Sequence, residues 1–302
     1  MKHLLTEYCA TLGIDQVGIA SACLYTEVGE KLEQRIARGH TIEFDELRTE
    51  KRIDPRLYLA DAQAVIVCLF PYYTGTAADA NLSKYTFSLD YHRIIQSKLA
   101  AVGTYLETLD PTITWQSYCD TGPLVDRYLA WQAGLGFYGL NSCLINDRYG
   151  SWFFIGHLIT NYPFPVDSPL KKTCLACGVC QTACPGQCIL GDGSIDPRHC
   201  KSYITQKKGL LTESEISILK KTDLIFCCDV CQDVCPHNVH IPQTPLTDFR
   251  ANLLYRLESS DLAQLSNQEF RRRYGNRAFS WRGKQILLRN LELVTLQGGS
   301  KC

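Results

Sequence analysis

The chain alternates between short apolar runs and longer stretches in which apolar residues repeat with the period of a helix. Residues 64–70 carry no polar side chain apart from one thiol, a pattern that predicts a buried strand. Between Ile94 and Leu109 apolar side chains recur three and four positions apart, which predicts an amphipathic helix over residues 90–109. Asp90 stands where the N-cap of that helix belongs.

Three more elements are indicated in the first half of the chain. Residues 112–118 and 152–160 are rich in aromatic and β-branched side chains, which is typical of strands. Residues 123–133 repeat apolar side chains at helical spacing and predict another helix. Because strands and helices alternate, this part of the chain predicts an α/β sandwich.

Proline pairs divide the sequence. Two prolines fall within residues 161–168 and two more within residues 241–245, and prolines interrupt regular structure. The sequence therefore predicts three parts, at 1–165, 166–242 and 243–302.

The composition adds one unusual feature. Of the 302 residues, 45% are hydrophobic and 21% charged, with a net charge of zero, which is ordinary for a soluble globular protein. No apolar run is long enough to span a bilayer and no export signal is visible, so we expect a cytoplasmic protein without a membrane partner. Against a single methionine stand 16 cysteines, and in a reducing compartment these favour metal or redox chemistry over disulfides.

Ten of the cysteines lie between Cys174 and Cys235. The first group, at positions 174, 177, 180 and 184, reads C-x2-C-x2-C-x3-C-P, the bacterial ferredoxin run for a four-iron cluster. The second group, at positions 228, 231 and 235, repeats C-x2-C-x3-C-P with one cysteine missing. Cys200 is the candidate for the missing ligand, since a cluster needs four.

In two-cluster ferredoxins the fourth cysteine of the run binds the other cluster, which assigns the ligands. The predicted cluster-one ligands are Cys174, Cys177, Cys180 and Cys235. The predicted cluster-two ligands are Cys184, Cys200, Cys228 and Cys231. Cys188 and Cys227 are left over, and His237 and His240 are interpreted as polar loop residues. The six scattered cysteines are interpreted as small buried hydrophobes, or as a tail thiol for Cys302. They are Cys9, Cys23, Cys68, Cys119, Cys143 and Cys302.

Two other cofactor signatures are absent or incomplete. The spacing C-x3-C-x2-C, associated with radical chemistry on S-adenosylmethionine, does not occur. Gly134, Gly136 and Gly139 match G-x-G-x-x-G, but a dinucleotide site needs a strand before that motif. Here a predicted helix precedes it, so the motif is interpreted as a glycine-rich loop.

Several sequence blocks, in this order and followed by the double cluster motif, resemble the epoxyqueuosine reductase family over residues 1–240. The blocks are Arg52-x-Asp54-Pro55, Asp90-Tyr91-His92, Asp120-Thr-Gly-Pro123, Ala133-Gly-Leu-Gly136-Phe-Tyr-Gly139-Leu-Asn141 and Gly150-Ser-Trp-Phe-Phe154. The resemblance implies an enzyme that uses cobalamin and two [4Fe-4S] clusters to reduce the epoxide of epoxyqueuosine at the tRNA wobble position, giving queuosine. It also implies an unidentified electron donor, and we expect a monomer.

The fold class implied is α+β. A nitroreductase-like α/β cobalamin-binding domain would be followed by a two-cluster ferredoxin-like domain and a short helical region. Asp120 matches the family's proposed acid, and burial could raise the pKa of such a carboxyl toward neutrality; the alternative is that Asp120 caps the helix that follows. The resemblance also places other residues near cobalamin. These are Arg52, Asp90, His92, Gly139, Asn141, Ser142, Ser202 and Tyr203.

The end of the chain is basic. From Phe249 onward ten basic residues stand against four acidic ones, a local charge of about plus six, which suits contact with tRNA phosphates but also a solvated charged face. Two other functions stay open at this point: a cobalamin-dependent reductase of another substrate, such as an organohalide, and an electron-transfer ferredoxin module.

Overall fold

The computed structural model describes residues 1–295. Six strands are present in this part of the chain: β1 (Val17–Ser21), β2 (Ala64–Pro71), β3 (Trp115–Cys119), β4 (Phe137–Tyr138), β5 (Leu144–Ile145) and β6 (Phe153–Thr160). Four of them form one sheet in the order β1-β2-β6-β3, while β4 and β5 pair separately. Every pairing in the four-stranded sheet is antiparallel.

Strand β2 lies at the centre of the fold because both of its faces are covered. All of its residues are buried. The even-numbered side chains from Ala64 to Phe70 join one hydrophobic core, and the odd-numbered ones from Val65 to Leu69 join another. An unbroken apolar run is what a strand buried on both faces requires, so the prediction for residues 64–70 is confirmed.

Helices cover both faces of the sheet. The first five are α1 (Lys2–Thr11), α2 (Thr26–Ala37), α3 (Glu50–Ile53), α4 (Tyr91–Leu109) and α5 (Asp126–Gln132). Helices α1 and α4 contribute to one core, and α2 and α5 to the other. The predicted helix at 90–109 is confirmed, with the Asp90 carboxylate accepting a hydrogen bond from the His92 backbone at its start.

Two predicted elements differ at their bounds. Strand β3 begins at Trp115, three residues later than predicted, because residues 110–113 form a turn around the Asp110 carboxylate. Helix α5 begins at Asp126 with Val125 as its N-cap, so the residues from Pro123 precede the helix.

The remaining helices belong to the cysteine-rich segment and the tail. They are α6 (Val179–Ala183), α7 (Lys201–Ile204), α8 (Glu213–Lys220), α9 (Val230–Asp233), α10 (Ser259–Ala263), α11 (Asn267–Tyr274) and α12 (Lys284–Thr295). Helices α6 and α9 begin at equivalent positions in the two copies of the cysteine motif. They pack against each other. Within residues 1–295, no helix combines the length and the hydropathy needed to cross a membrane.

Strand β1 and the end of α5 lie so close together that we expect one added methyl group to destabilise their packing. A Cβ on Gly18 would lie 2.3 Å from the Ala133 carbonyl oxygen, so Gly18→Ala should destabilise the fold by about 1–3 kcal/mol. In the interior of α2, a Cβ on Gly29 would come no closer than 3.4 Å to Ile53, so Gly29→Ala should be neutral or stabilising by up to about 1 kcal/mol. The urea midpoint should fall for Gly18→Ala and stay unchanged or rise for Gly29→Ala, and equal shifts would contradict this packing.

Candidate active site and cluster sites

Four of the cysteines predicted as ligands line a single cavity. Cys174 and Cys177 come from the loop before α6, Cys180 from α6 itself and Cys235 from the end of the second motif. Ala176 and Gly178 in that loop have φ values of +51° and +73°, and these left-handed turns wind the chain around the cavity. The structure thus brings the predicted cluster-one set together from two distant stretches of sequence.

The donor set of this site fits a four-iron cluster. Four cysteines surround the cavity, which is the number of thiolate ligands that such a cluster takes. The buried His237 Nε2, on the same wall, has no hydrogen-bond partner within residues 1–295. In the tautomer that carries its proton on Nε2, this nitrogen would donate to the sulfur atoms of an iron–sulfur cluster.

The second set of cysteines forms a neighbouring group. Cys184 and Cys188 have their sulfur atoms 3.4 Å apart, and Cys188 also contacts Cys200. Hydrogen bonding with the Cys188 side chain, together with backbone N–H groups, holds the pKa of Cys184 and that of Cys200 below the ordinary thiol value. Burial acts in the opposite direction at Cys228, whose pKa it raises to about 12. Thiolates are the form that binds metal.

The cysteine left over beside Cys228 has partners of a different kind. Cys227 is buried at a φ of +57°. Its sulfur lies 3.1 Å from the Tyr85 hydroxyl and accepts a hydrogen bond from the Gln206 amide at 3.1 Å. Cys227 and Cys228 are thus adjacent in sequence but differ in their surroundings, because the left-handed backbone at Cys227 turns the chain between them.

The five scattered cysteines within the described residues divide into three kinds. Cys9, Cys68 and Cys119 are fully buried, as predicted. Cys23 is exposed, so the interpretation as a buried hydrophobe is wrong for it, because it lies in the open turn after β1. Cys143 contacts the side chain of Cys231, a relation that the sequence did not reveal. Cys302 lies outside the described residues.

A second cavity, of about 400 Å³, opens beside the four-stranded sheet. Its floor includes Phe153, Phe154 and Ile155 at the start of β6, and its polar wall includes Arg52, Asp120 and Arg127. We call it the sheet cavity. An apolar floor with a few convergent polar groups is the usual form of a cofactor or substrate site.

Asp120 occupies the sheet cavity in an unusual conformation. Its backbone has a φ of +58°, which is uncommon for a residue with a side chain. The Tyr91 hydroxyl donates to the Asp120 carboxylate at 2.7 Å, and His92 Nε2 lies 3.4 Å from the same oxygen. Because α5 begins at Asp126, the alternative that Asp120 caps this helix is wrong.

His92 lies between two carboxylates, with Nδ1 2.7 Å from Asp90 and Nε2 facing Asp120. The two acidic partners raise the pKa of His92 to about 9. His92 in turn holds the pKa of Asp120 below its ordinary value. The condition under which Asp120 would itself hold the proton near neutrality, a pKa raised by burial, is therefore not met, because the neighbouring imidazolium outweighs desolvation. Near neutral pH the proton resides on His92.

Comparison with known proteins identifies two segments of the chain. Residues 52–121 match the model of the family described as Epoxyqueuosine reductase QueG, and residues 173–238 match the 4Fe-4S double cluster binding domain. An epoxyqueuosine reductase of Listeria monocytogenes is 33% identical over 97% of this chain and 80% of its own length. The chain belongs to the epoxyqueuosine reductase family.

Other members of the family are similar to this chain over nearly its whole length. An epoxyqueuosine reductase of Synechocystis is 33% identical over 90% of this chain and 96% of its own length. The solved epoxyqueuosine reductase of Streptococcus thermophilus is 30% identical and superimposes with a TM-score of 0.88, covering 98% of this chain and 80% of that one. Another solved family member, with an epoxyqueuosine-modified tRNA-Tyr stem loop, gives 30% identity and a TM-score of 0.87 over 97% of this chain and 80% of that one.

In this epoxyqueuosine reductase family member, the other residues predicted near cobalamin have varied surroundings. Arg52 lines the sheet cavity, while Asp90 caps α4 and orients His92. Gly139 and Asn141 line the four-cysteine cavity instead.

The remaining three of those residues lie outside the lining of the sheet cavity. The Ser142 hydroxyl donates to the Gly193 carbonyl at 2.6 Å. Ser202 contacts Cys227, and Tyr203 packs its ring against Phe44. For these three, contact with cobalamin stays a prediction.

Two residues of the sheet cavity were missed by the sequence reasoning. Tyr91 stacks on Phe154 with ring centres 3.9 Å apart and donates to Asp120; its position inside the Asp90-Tyr91-His92 block was the available signal. Arg127 lines the cavity and donates to the Ser142 carbonyl at 2.5 Å. Nothing in its local sequence marks it.

We expect His92 to titrate near pH 9 in the folded protein, above its ordinary value of about 6.5. The stabilisation that this provides should be complete below about pH 6.5 and lost as the pH rises through about 9. In Asp120→Asn the pKa of His92 should fall, because one of the two carboxylates beside the ring has been replaced by an uncharged amide. Histidine NMR titration, with His92→Gln for assignment, measures this; a wild-type value near 6.5 would contradict the ion pair.

Proposed function

We propose that this protein reduces the epoxide of epoxyqueuosine in the anticodon wobble position of tRNA to give queuosine. The observation that carries the proposal is the Tyr91–Asp120–His92 group at the sheet cavity, in a chain of the epoxyqueuosine reductase family that also has a 4Fe-4S double cluster binding domain. Reduction of another substrate, such as an organohalide, has no comparable support.

The donor sets fit the cofactors that this reaction needs. Cluster one would be held by Cys174, Cys177, Cys180 and Cys235, and cluster two by Cys184, Cys200, Cys228 and Cys231. Cobalamin would occupy the sheet cavity, on the apolar floor of β6 and beside Arg52. When bound, the clusters supply single electrons and the corrinoid cobalt supplies the reactive centre. The sheet with helices on both faces would be the nitroreductase-like domain.

Asp120 and His92 would manage the proton. As the epoxide opens, its oxygen gains negative charge and must be protonated. The Asp120 carboxylate faces the cavity, and His92 behind it carries the proton near neutral pH. Converting the epoxide to an alkene consumes two electrons and two protons and releases the oxygen as water. We infer that the first proton passes from His92 through Asp120 to the oxygen as the ring opens, and that the second comes from solvent by way of Asp120. Tyr91 holds the carboxylate in place by its hydrogen bond.

The surroundings of the two cysteine groups suggest where electrons and tRNA approach. Cys177 is exposed, whereas Cys184 is buried, so an electron donor would dock beside Cys177. Arg271, Arg272 and Arg273 are all exposed on α11, where they can contact tRNA phosphates. We propose that the protein acts as a monomer in the cytoplasm, where its tRNA substrate is found.

Substituting the adjacent residues Cys227 and Cys228 one at a time should show which of them is a cluster ligand. Cys228→Ala should lose one cluster, and with it roughly half of the bound iron of two four-iron clusters. Cys227→Ala should keep the full iron content, because its sulfur faces Tyr85 and Gln206 instead. Iron analysis of anaerobically reconstituted protein measures both, and the reverse result would exchange the assignments.

Asp120→Asn should lower the rate of epoxide reduction by about a hundredfold or more, as expected for loss of a general acid. Iron and cobalamin contents should be unchanged. Asp15→Asn is the matched control, since Asp15 also accepts a hydrogen bond from a tyrosine hydroxyl, that of Tyr149, but lies outside the cavity lining. The assay measures queuosine formed in tRNA by protein loaded with both cofactors and given a chemical reductant.

Two results of this assay would be decisive against parts of the proposal. Full activity of Asp120→Asn would remove the acid assignment. Absence of queuosine from fully loaded wild-type protein would remove the proposed function.

A further inference from the structure

Three parts of the chain meet at an exposed aromatic cluster outside both cavities. The Trp281 side chain is 56% exposed and that of Phe44 is 37% exposed, with ring centres 5.4 Å apart. The other three tryptophans of the protein are buried or half-buried. Tyr203 packs edge-on against Phe44 at 5.4 Å. Large aromatic surface left in water at one place is a mark of an interaction site.

Arg282 makes this cluster rigid. Its guanidinium lies 4.0 Å from the centre of the Trp281 ring and 4.3 Å from that of Phe44. The same group donates to the Glu43 carboxylate at 2.8 Å, and only 11% of the Arg282 side chain is exposed. A planar cation in contact with two rings fixes their orientation. We call Phe44, Trp281 and Arg282 the aromatic platform.

The platform is anchored to the cysteine-rich segment. The Trp281 indole N–H donates to the Gln206 side-chain oxygen at 2.9 Å. The amide nitrogen of Gln206 donates in turn to the sulfur of Cys227, which precedes the proposed cluster-two ligand Cys228. A single side chain, that of Gln206, therefore lies between the platform and Cys227.

The platform is connected along the chain to the sheet cavity, because Phe44 lies in the loop before α3 and α3 carries Arg52. Asp45, next to Phe44, accepts a hydrogen bond from Arg35 at 2.6 Å, and its charge acts on Arg52. Arg52 lines the cavity. A chain of direct contacts also leads from the platform toward the cavity. Cys227, which accepts from Gln206, lies 3.1 Å from the Tyr85 hydroxyl, and the Tyr85 ring meets that of Tyr91 at 6.1 Å.

We propose that the aromatic platform stacks against a nucleobase of the anticodon loop that flanks the modified nucleoside. This inference rests on the proposed function. Bases of a single-stranded loop can be splayed out and stacked on aromatic rings and arginine planes. Because Glu43 already neutralises Arg282, the platform offers a π surface instead of a free cation, which favours a base over a phosphate. The exposed arginines of α11 remain available for the phosphates.

The test uses protein loaded with clusters and cobalamin, and an unmodified anticodon stem loop that carries 2-aminopurine on one or the other side of the wobble position. Trp281→Ala should weaken binding by about tenfold or more, whereas Trp281→Phe should retain most of the affinity. Val166→Ala is the control, since Val166 is 54% exposed but lies next to Asp167, which binds the backbone of β1. Anisotropy of the labelled RNA gives the dissociation constant.

The fluorescence of 2-aminopurine reports stacking itself. At one of the two positions it should be quenched by wild-type protein and by Trp281→Phe, and much less by Trp281→Ala at saturating protein. Unchanged affinity and quenching in a folded Trp281→Ala would overturn the platform. Since the RNA carries no epoxide, binding that depends on Trp281 supports the platform even where no queuosine is formed. Queuosine formation with binding that is independent of Trp281 would refute the platform and leave the proposed function intact.

Discussion

The arrangement of both candidate sites depends on one short segment, residues 81–84, that joins three distant stretches of chain. The buried Asp229 carboxylate accepts hydrogen bonds from the Ser83 hydroxyl and the Lys84 backbone, and Leu82 forms a β-bridge with Phe226. The Asn81 side chain pairs with both backbone groups of Leu257. A buried carboxylate is costly unless it is paired, so these bonds hold the second cysteine motif against the segment between β2 and α4, the helix that carries Tyr91 and His92.

The hydrophobic pattern of the sequence predicted the elements whose side chains are buried in a regular way. Strand β2 is apolar throughout because both of its faces are buried, and α4 has a continuous apolar stripe because one face packs on the sheet. The start of α5 could not be predicted in this way, since residues 123–125 have a helix-like apolar spacing but an extended Val125 backbone. The antiparallel strand order was equally hidden, because it is set by contacts between residues far apart in sequence.

The same distinction applies to the sites. Cysteines three and four residues apart identified the cluster motif, because the spacing itself is the geometric requirement. The contacts of Cys143 with Cys231 and of Cys188 with Cys200 depend on how loops from separate segments fold together. Asp120 was recognised through a resemblance, but the raised pKa of His92 follows from two carboxylates, one of which belongs to the turn after β3 and is distant in sequence.

The backbone at Asp120 and the charge of His92 are linked in a way that bears on turnover. A left-handed φ costs of order 1 kcal/mol for a residue with a side chain, and the contacts with Tyr91 and His92 offset that cost. The proposed transfer through Asp120 would leave the His92 ring neutral and remove its attraction to the carboxylate. His92 Nε2 is itself buried, whereas 64% of the Asp120 side chain is exposed, so a new proton would return to the ring by way of Asp120. Reprotonation would restore the ion pair, and with it the conformation of Asp120 needed for the next substrate.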